Sequence, residues 1–393
     1  MSELKPEALF TKEMEDEVVK LTQDLVRMKS VNPPGDERRV AEFTARYLED
    51  AGFTVEFIDH DADRASMLAR LKGSGEAPGV LYSAHLDTVP VGAEKCLHEP
   101  FDGEIADDKI WGRGSTDMKS GMAAIMVSAK LLAKAKAPLK GDIVIALTAG
   151  EETDSLGAVE VAKRKDLGPL QALIVAEPSA NDIFVAEKGA LWLEIATHGK
   201  TAHGSMPDLG RNAILMMVAF LNEFEKLEFP YTEHPMLGKY SRSVDTITGG
   251  VKTNVVPDYC AITIDMRTVP GQDHAQMVKQ IEALFAQLQA KMPDFKATVT
   301  VINDRPPVTT PVDDPAVTKF NAALAEAVGK ATEPKGVRYY TDAAALAPAL
   351  NLPMIICGPG RAELCHVPNE YVDIDLLVQA VKIYTLATLK YLG

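Results

Sequence analysis

The sequence predicts an α/β protein: a mostly parallel sheet flanked by helices, interrupted by a smaller inserted βαββαβ domain. Three observations lead there. Short apolar runs alternate with amphipathic stretches through the first half of the chain. After about Lys188 the alternation gives way to the order strand, helix, strand, strand, helix, strand. The length of 393 residues also exceeds what one hydrophobic core usually serves, so two domains are expected.

Taken in order, residues 37–50 place Val40, Phe43, Tyr47 and Leu48 at near-helical spacing, with Gly52 as the stop. Apolar strands follow at 79–84, 142–150 and 172–176, with helices at 122–134 and 157–165 between them. The inserted domain, 189–302, is read as strands at 191–197, 243–248, 259–268 and 296–302. Its helices are expected at 212–227 and 274–290. In the second of these Val278, Ile281, Leu284, Phe285 and Leu288 form one apolar face. The αβ pattern then resumes with a helix at 314–328, a strand at 354–357 and a last helix from Asp373. The larger domain is therefore 1–188 plus 303–393.

Composition is that of a globular protein, 46% hydrophobic and 25% charged. No apolar run approaches the ~18 residues of a transmembrane helix, and the polar start Met1-Ser-Glu-Leu-Lys-Pro-Glu is no signal peptide. A net charge of −15 argues against nucleic acid and anionic membranes as partners. Four cysteines without paired ligand spacing or disulfide density point to a reducing cytoplasm. Cys365, beside His366, is read as a small packed residue rather than a metal ligand.

Metal-grade side chains recur where strands end. His85 closes the run from Gly79, with Asp87 two residues on; Glu151-Glu152 follow 142–150, and Glu177 follows 172–176. Asp117 sits in Gly112-Arg-Gly-Ser-Thr-Asp-Met-Lys, and His366 follows Met354-Ile-Ile-Cys-Gly-Pro-Gly. Ligands of open α/β sheets gather beyond the carboxyl ends of strands, so this placement outlines a site. In extended chain, residues i and i+2 share a face, so His85 and Asp87 can act together. Adjacent Glu151 and Glu152 cannot occupy one position, so one can hold a metal while its neighbour faces water. Imidazole and carboxylate donors together suit Zn²⁺ best, with Co²⁺ or Mn²⁺ as substitutes. His60, His98, His198, His234 and His274 are read as solvated or hydrogen-bonded residues. There is no phosphate loop, no Gly-x-Ser-x-Gly elbow and no His-Glu-x-x-His helix.

Ser83-Ala-His-Leu-Asp-Thr-Val-Pro, Gly112-Arg-Gly-Ser-Thr-Asp-Met-Lys, Thr148-Ala-Gly-Glu-Glu, Ala176-Glu-Pro-Ser and Ala202-His-Gly-Ser-Met-Pro occur in this order. The order resembles the metallopeptidase family of glutamate carboxypeptidase, acetylornithine deacetylase, succinyl-diaminopimelate desuccinylase and aminoacylase-1, from about Ser30 to the C-terminus. The resemblance implies a zinc-exopeptidase-like catalytic domain with an inserted ferredoxin-like lid and dimerisation domain, and two divalent ions per chain. It places His85 and Glu177 on one ion, Glu152 and His366 on the other, and Asp117 between them, with a cis peptide at Asp117-Met118. It makes Asp87 the carboxylate that orients His85, Glu151 the general acid/base and His203 an oxyanion donor. Asn254 and Arg267 match positions that hold a substrate carboxylate, with an ion pair to Asp265 or a neighbour as the competing reading of Arg267.

The function so implied is hydrolysis of an amide next to a free carboxylate, in an N-acyl amino acid or a dipeptide. The alternatives are carboxypeptidase or aminopeptidase action on short peptides, or a non-catalytic metal- or ligand-binding relative, against which Glu151 beside all five ligands argues. Arg338-Tyr-Tyr-Thr-Asp departs from the Gly-rich segment of the desuccinylase branch, and Arg361 is a second local variable. The helix at 212–227, apolar beyond half its circumference, leaves surplus for a dimer surface or for deeper burial in its own domain. A cytoplasmic homodimer is expected, with His203 reaching the partner's site.

Overall fold

The computed structural model describes residues 5–393, which divide into two compact units, 5–186 with 309–336 and 341–393, and 187–308 with 337–340. The first unit opens with helix α1, Lys12–Arg27, capped by the Thr11 side chain, which accepts from the Met14 N–H. This helix is not among the elements expected from sequence, although Met14, Val18, Leu21 and Leu25 follow helical spacing and all are buried. Helix α2, Glu37–Glu49, buries Val40, Ala41, Thr44, Ala45 and Leu48, and Gly52 follows in the left-handed region.

Strands β1, Thr54–Asp59, and β2, Ala65–Leu71, form an antiparallel hairpin. Strand β3, Gly79–His85, is buried along its whole length. The short β4, Glu104–Ala106, and β5, Lys109–Trp111, pair beside it in sequence but in a separate sheet. Helix α3, Ser120–Lys134, precedes β6, Ile143–Thr148; helix α4, Leu156–Ala162, precedes β7, Leu170–Val175; β8, Phe184–Glu187, follows. A Cβ on Gly121 would lie 2.2 Å from the Ala176 carbonyl, so only glycine lets α3 close against the end of β7.

The second unit carries β9, Gly189–His198; α5, Ala213–Phe224; β10, Ser241–Gly249; β11, Tyr259–Thr268; α6, His274–Lys291; and β12, Ala297–Arg305. Its sheet runs β10-β11-β9-β12 with every pairing antiparallel, the ferredoxin-like arrangement. Asn212 and Asp273 cap the two helices through their side chains. Their apolar faces meet Leu193, Ile195, Ile262 and Ile264 of the sheet in one core. Helix α5 divides its apolar surplus: Met216, Met217, Phe220 and Phe224 are buried, while Leu215 and Val218 are exposed.

The chain returns to the first unit with β13, Val308–Thr309; α7, Pro315–Val328; β14, Lys335–Val337; α8, Ala343–Leu350; β15, Met354–Ile356; β16, Tyr371–Asp373; and α9, Ile374–Leu392. The large sheet runs β1-β2-β6-β3-β7-β15-β8-β13, with β14 beside β8. Strands β6, β3, β7 and β15 are mutually parallel, and β2 and β8 join this centre antiparallel. Parallel strands covered on both faces are buried along their length and largely apolar, as β3 and β6 are.

Candidate metal centre

Four neighbouring parallel strands aim their carboxyl ends at one place. His85 is the last residue of β3, Glu151 and Glu152 follow β6, Glu177 follows β7, and His366 lies beyond β15. Asp117 comes from the turn before α3, where the Asp117-Met118 peptide is cis. His366 has φ +64°, a left-handed conformation uncommon for a residue with a Cβ, so contacts beyond its own backbone must hold it.

The side chains converge. His85 Nε2 lies 3.0 Å from Asp117 Oδ1 and 3.7 Å from Glu177 Oε1. His366 Nε2 lies 3.0 Å from Glu152 Oε2 and 3.4 Å from Asp117 Oδ2. The two oxygens of Asp117 thus face different histidines, each accompanied by its own glutamate. Among the described residues, ligand atoms of His85, Glu151 and Glu177 lie within 4.8 Å of one another, as do those of His85, Asp117 and Glu152. Glu152 Oε1 is buried and accepts no hydrogen bond. A buried carboxylate oxygen in that state calls for a cation or a proton.

Electrostatics point the same way. Burial, followed by the charge of Glu177, holds the Glu151 carboxyl well above the usual range. Burial and then Asp117 do the same to Glu177, and also raise Glu152. Burial opposes ionisation of Asp117 too, but hydrogen bonds from His366 and His85 outweigh it and keep that carboxyl far below its usual range. The Asp117 and Glu152 carboxylates lift His366 to about 10. Four carboxyl groups against two imidazoles form an acid-rich pocket, and two divalent ions would balance it.

Asp87 stands beside His85, where it was expected, and serves a second set of partners as well. His85 Nδ1 donates to the Asp87 main-chain carbonyl at 3.0 Å, while the carboxylate Oδ1 stands 3.6 Å away. The fully buried carboxylate instead accepts the N–H groups of Gly150 and Glu151 on Oδ1 and of Glu152 on Oδ2, each at 3.2 Å. Asn32 Nδ2 completes the set at 2.9 Å on Oδ2. Asp87 therefore grips the turn that carries Glu151 and Glu152. Cys365 donates through Sγ to the Arg361 carbonyl at 3.8 Å and belongs to neither ligand cluster. Lys119, wholly buried, donates to the carbonyls of Leu25 and Met28 and ties the end of α1 to the Asp117 turn. Asn32 and Lys119 were not singled out from sequence; their neighbours Pro33-Pro34 and Asp117 are the only signals that could have drawn attention to them.

The second unit holds His203, Asn254 and Arg267. His203 forms a bridge with Val255, and the Gly204 N–H donates to the Asn254 carbonyl at 2.8 Å, so His203 and Asn254 share one pair of loops. His203 Nδ1 accepts the Ser205 N–H at 3.2 Å and lies 2.7 Å from Ser205 Oγ. A main-chain N–H can only donate, so the neutral ring carries its proton on the exposed Nε2. Arg267 pairs with Asp265 through Nε at 2.9 Å and lies over the Trp192 ring, with 5.8 Å from its guanidinium carbon to the ring centroid. Arg361, in the first unit, donates to Asp373 at 2.7 Å, which makes it an ion-pair partner. His60, His98, His198, His234 and His274 are each engaged in hydrogen bonds away from the candidate ligands.

A strand-end cluster of this kind on such a sheet defines a metal-dependent hydrolase. The chain belongs to peptidase family M20/M25/M40, whose model matches residues 81–390. It is 28% identical to a Staphylococcus epidermidis (strain ATCC 12228) protein named "Probable succinyl-diaminopimelate desuccinylase", over 94% of this chain and 96% of that one. It is also 28% identical to an acetylornithine deacetylase of Myxococcus xanthus, over 90% and 92%. In fold it resembles an M20 family metallo-carboxypeptidase from Sulfolobus solfataricus, with a TM-score of 0.77, 19% identity and coverage of 96% and 99%. A dinuclear metal-binding peptidase of the family from Bacillus subtilis gives 0.71 at 18% identity, covering 96% and 98%. No helix among the described residues is long and apolar enough to cross a membrane.

Proposed function

We propose that this chain hydrolyses an amide bond next to a free carboxylate, in an N-acyl amino acid or a dipeptide, with two divalent ions held by His85, Asp117, Glu152, Glu177 and His366. The observation that carries the reading is the division of Asp117, one oxygen towards His85 and Glu177 and the other towards His366 and Glu152. The donor set of two imidazoles and three carboxylates favours Zn²⁺, with Co²⁺ or Mn²⁺ able to replace it. When bound, such a pair polarises the scissile carbonyl and makes water a stronger nucleophile.

This chain's own residues do the rest. The Glu151 carboxylate takes a proton from the attacking water and returns one to the leaving amine. Burial raises its affinity for a proton, the direction that a general base requires. His203 donates its Nε2–H to the developing oxyanion. Arg267 and Asn254 hold the substrate carboxylate, a planar anion that a guanidinium fork meets with two hydrogen bonds. The charge around Arg267 supports this assignment: burial, then the charges of Arg338 and Arg267, lower the affinity of Lys188 for its proton. Lys188 and Arg338 beside the Arg267–Asp265 pair leave a surplus of positive charge, which favours an acidic ligand.

The same reading takes the protein as a cytoplasmic homodimer in which His203 serves the partner's site. Four free thiols suit a reducing compartment. Exposed Leu215 and Val218 on α5, with exposed Val244 and Ile247 on the edge strand β10, offer an apolar face and an open strand for pairing.

The test is a hydrolysis screen of N-acetyl, N-succinyl and N-formyl amino acids and dipeptides. Metal-depleted protein would be re-supplied with Zn²⁺, Co²⁺ or Mn²⁺, and each substrate run beside its carboxyl-amidated form. Turnover that needs both metal and free carboxylate is expected. No turnover with any metal, or equal turnover of the amidated forms, would reject the reading.

A further inference from the structure

Glu370 lies four residues past His366, in His366-Val-Pro-Asn-Glu, and its carboxylate is buried. Oε1 accepts the Thr116 N–H at 2.9 Å and the Asp117 N–H at 3.0 Å. Oε2 accepts Arg113 Nη1 in a buried ion pair, and Arg113 Nη2 donates to the Val367 carbonyl at 3.2 Å. The contacts form a chain from the main chain of Asp117, through Glu370 and Arg113, to the residue beside His366. Two further bonds run alongside it: the Gly112 N–H donates to the Glu370 carbonyl at 2.9 Å, and Thr116 Oγ1 to the Tyr371 carbonyl at 2.6 Å.

From this geometry we propose that Glu370 and Arg113 are positioning residues, a buried clamp that sets His366 against Asp117 and so fixes the metal position that His366 shares with Glu152. The inference rests on the dinuclear reading above. Two features of the clamp fit that purpose. His366 is the most exposed of the five candidate ligands, with 55% of its side chain open to solvent, and its backbone is left-handed, so little in its own loop holds it. The carboxylate of Glu370 also has no neutral substitute. It faces three donors, two main-chain N–H groups and a guanidinium, and only an acceptor on both oxygens can satisfy them. An anion this close to Asp117 needs a cation beside it, and Arg113 supplies one while its second terminal nitrogen reaches Val367.

Glu370→Gln separates the two arms. Its amide oxygen can still accept from Thr116 and Asp117, but its NH₂ group meets Arg113 donor to donor, which releases the Val367 side of the clamp. Metal-free wild-type and variant proteins would be titrated with Co²⁺, followed by visible absorption and by calorimetry. Wild type should take two ions in two steps. In Glu370→Gln one step should be retained and the other weakened by about tenfold or more, the usual scale for partners behind a metal ligand. Arg113→Lys keeps the charge opposite Glu370 but cannot also reach Val367, so it should weaken the same step by less. It carries the test if Glu370→Gln fails to fold.

Unchanged binding in either folded variant, or equal weakening of both steps, would overturn the clamp. Wild-type protein that takes fewer than two ions would instead sink the dinuclear reading.

Discussion

Asp87→Asn is the sharpest probe of how the metal-bearing turn is held. The carboxylate serves four donors, Gly150 and Glu151 N–H on Oδ1, Glu152 N–H and Asn32 Nδ2 on Oδ2. An asparagine of the same shape keeps Oδ1 for the first pair and turns an NH₂ group towards the second. Asn32 can rotate its own amide and recover one bond, since its other contact, Thr153 Oγ1 at 2.9 Å, can donate as well as accept. The Glu152 N–H has no such remedy. A hydrogen bond to a charged acceptor is worth ~1.5–3 kcal/mol, so the turn should lose roughly 2–3 kcal/mol at Glu152. If that loss is felt as metal binding, affinity at the Glu152 and His366 position should fall roughly 30- to 150-fold. Titration of the metal-free variant with Zn²⁺, beside its urea unfolding curve, measures both terms. The His85 Nδ1 bond goes to the main chain of Asp87 and survives the substitution. Selective loss at the position shared by His85 and Glu177 would therefore refute the reasoning, and so would wild-type binding at both.

Glu151→Gln should keep both metals and lose turnover by ~10²-fold or more, whereas Glu152→Gln should shed metal; interchanged phenotypes in metal analysis and kcat would reverse the two roles. Metal-free protein should lose stability as pH rises from about 6 to 10. Burial lifts Glu151 and Glu177 well above the usual carboxyl range, and Asp117 and Glu152 lift His366 to about 10. The folded chain therefore keeps protons that the unfolded chain releases; buried Lys119, lowered to about 7, opposes this as one group against three, and Asp117 loses its contribution only on acidification. Urea midpoints at pH 6 and pH 9 check this, and a midpoint that climbs with pH would contradict it. Mixing His203→Ala with Glu151→Gln under conditions of proven subunit exchange should restore activity through one intact site. No recovery would put His203 in its own chain's site or outside catalysis.

The candidate ligands were legible because four of them close or follow an apolar strand and Asp117 lies in a Gly-rich turn, each with its own neighbouring residues as a marker. The order of those markers could be read without knowing how the strands pair. Partners that are main-chain groups leave no such marker. The side chain of Asp87 was expected at His85, two residues away on the same face, and stands 3.6 Å from its Nδ1, but its hydrogen bonds go to N–H groups more than sixty residues distant, which any sequence there would present. Glu370 escaped notice for the same reason, since half of its work is with the main chain of Thr116 and Asp117. Arg267 and Asp265, alternate residues of β11, share a face, so their pairing was visible as a competing arrangement. The hairpin of β1 and β2 was missed because β1 carries an exposed edge-strand pattern rather than a continuous apolar run.

The neighbourhood of β7 and β15 has a consequence for how the chain must be made. The two strands lie side by side in the sheet, but the ribosome builds the whole second unit between them. Until Met354–Ile356 has been synthesised, β7 has no strand on its β15 side, and Ala172, Leu173, Ile174 and Val175, buried in the finished protein, border an open edge. Open apolar edges template aggregation. A nascent chain that stops between β12 and α8 thus keeps this open apolar edge even with the sheet of the second unit complete, the kind of exposed surface that makes partly made chains prone to aggregate.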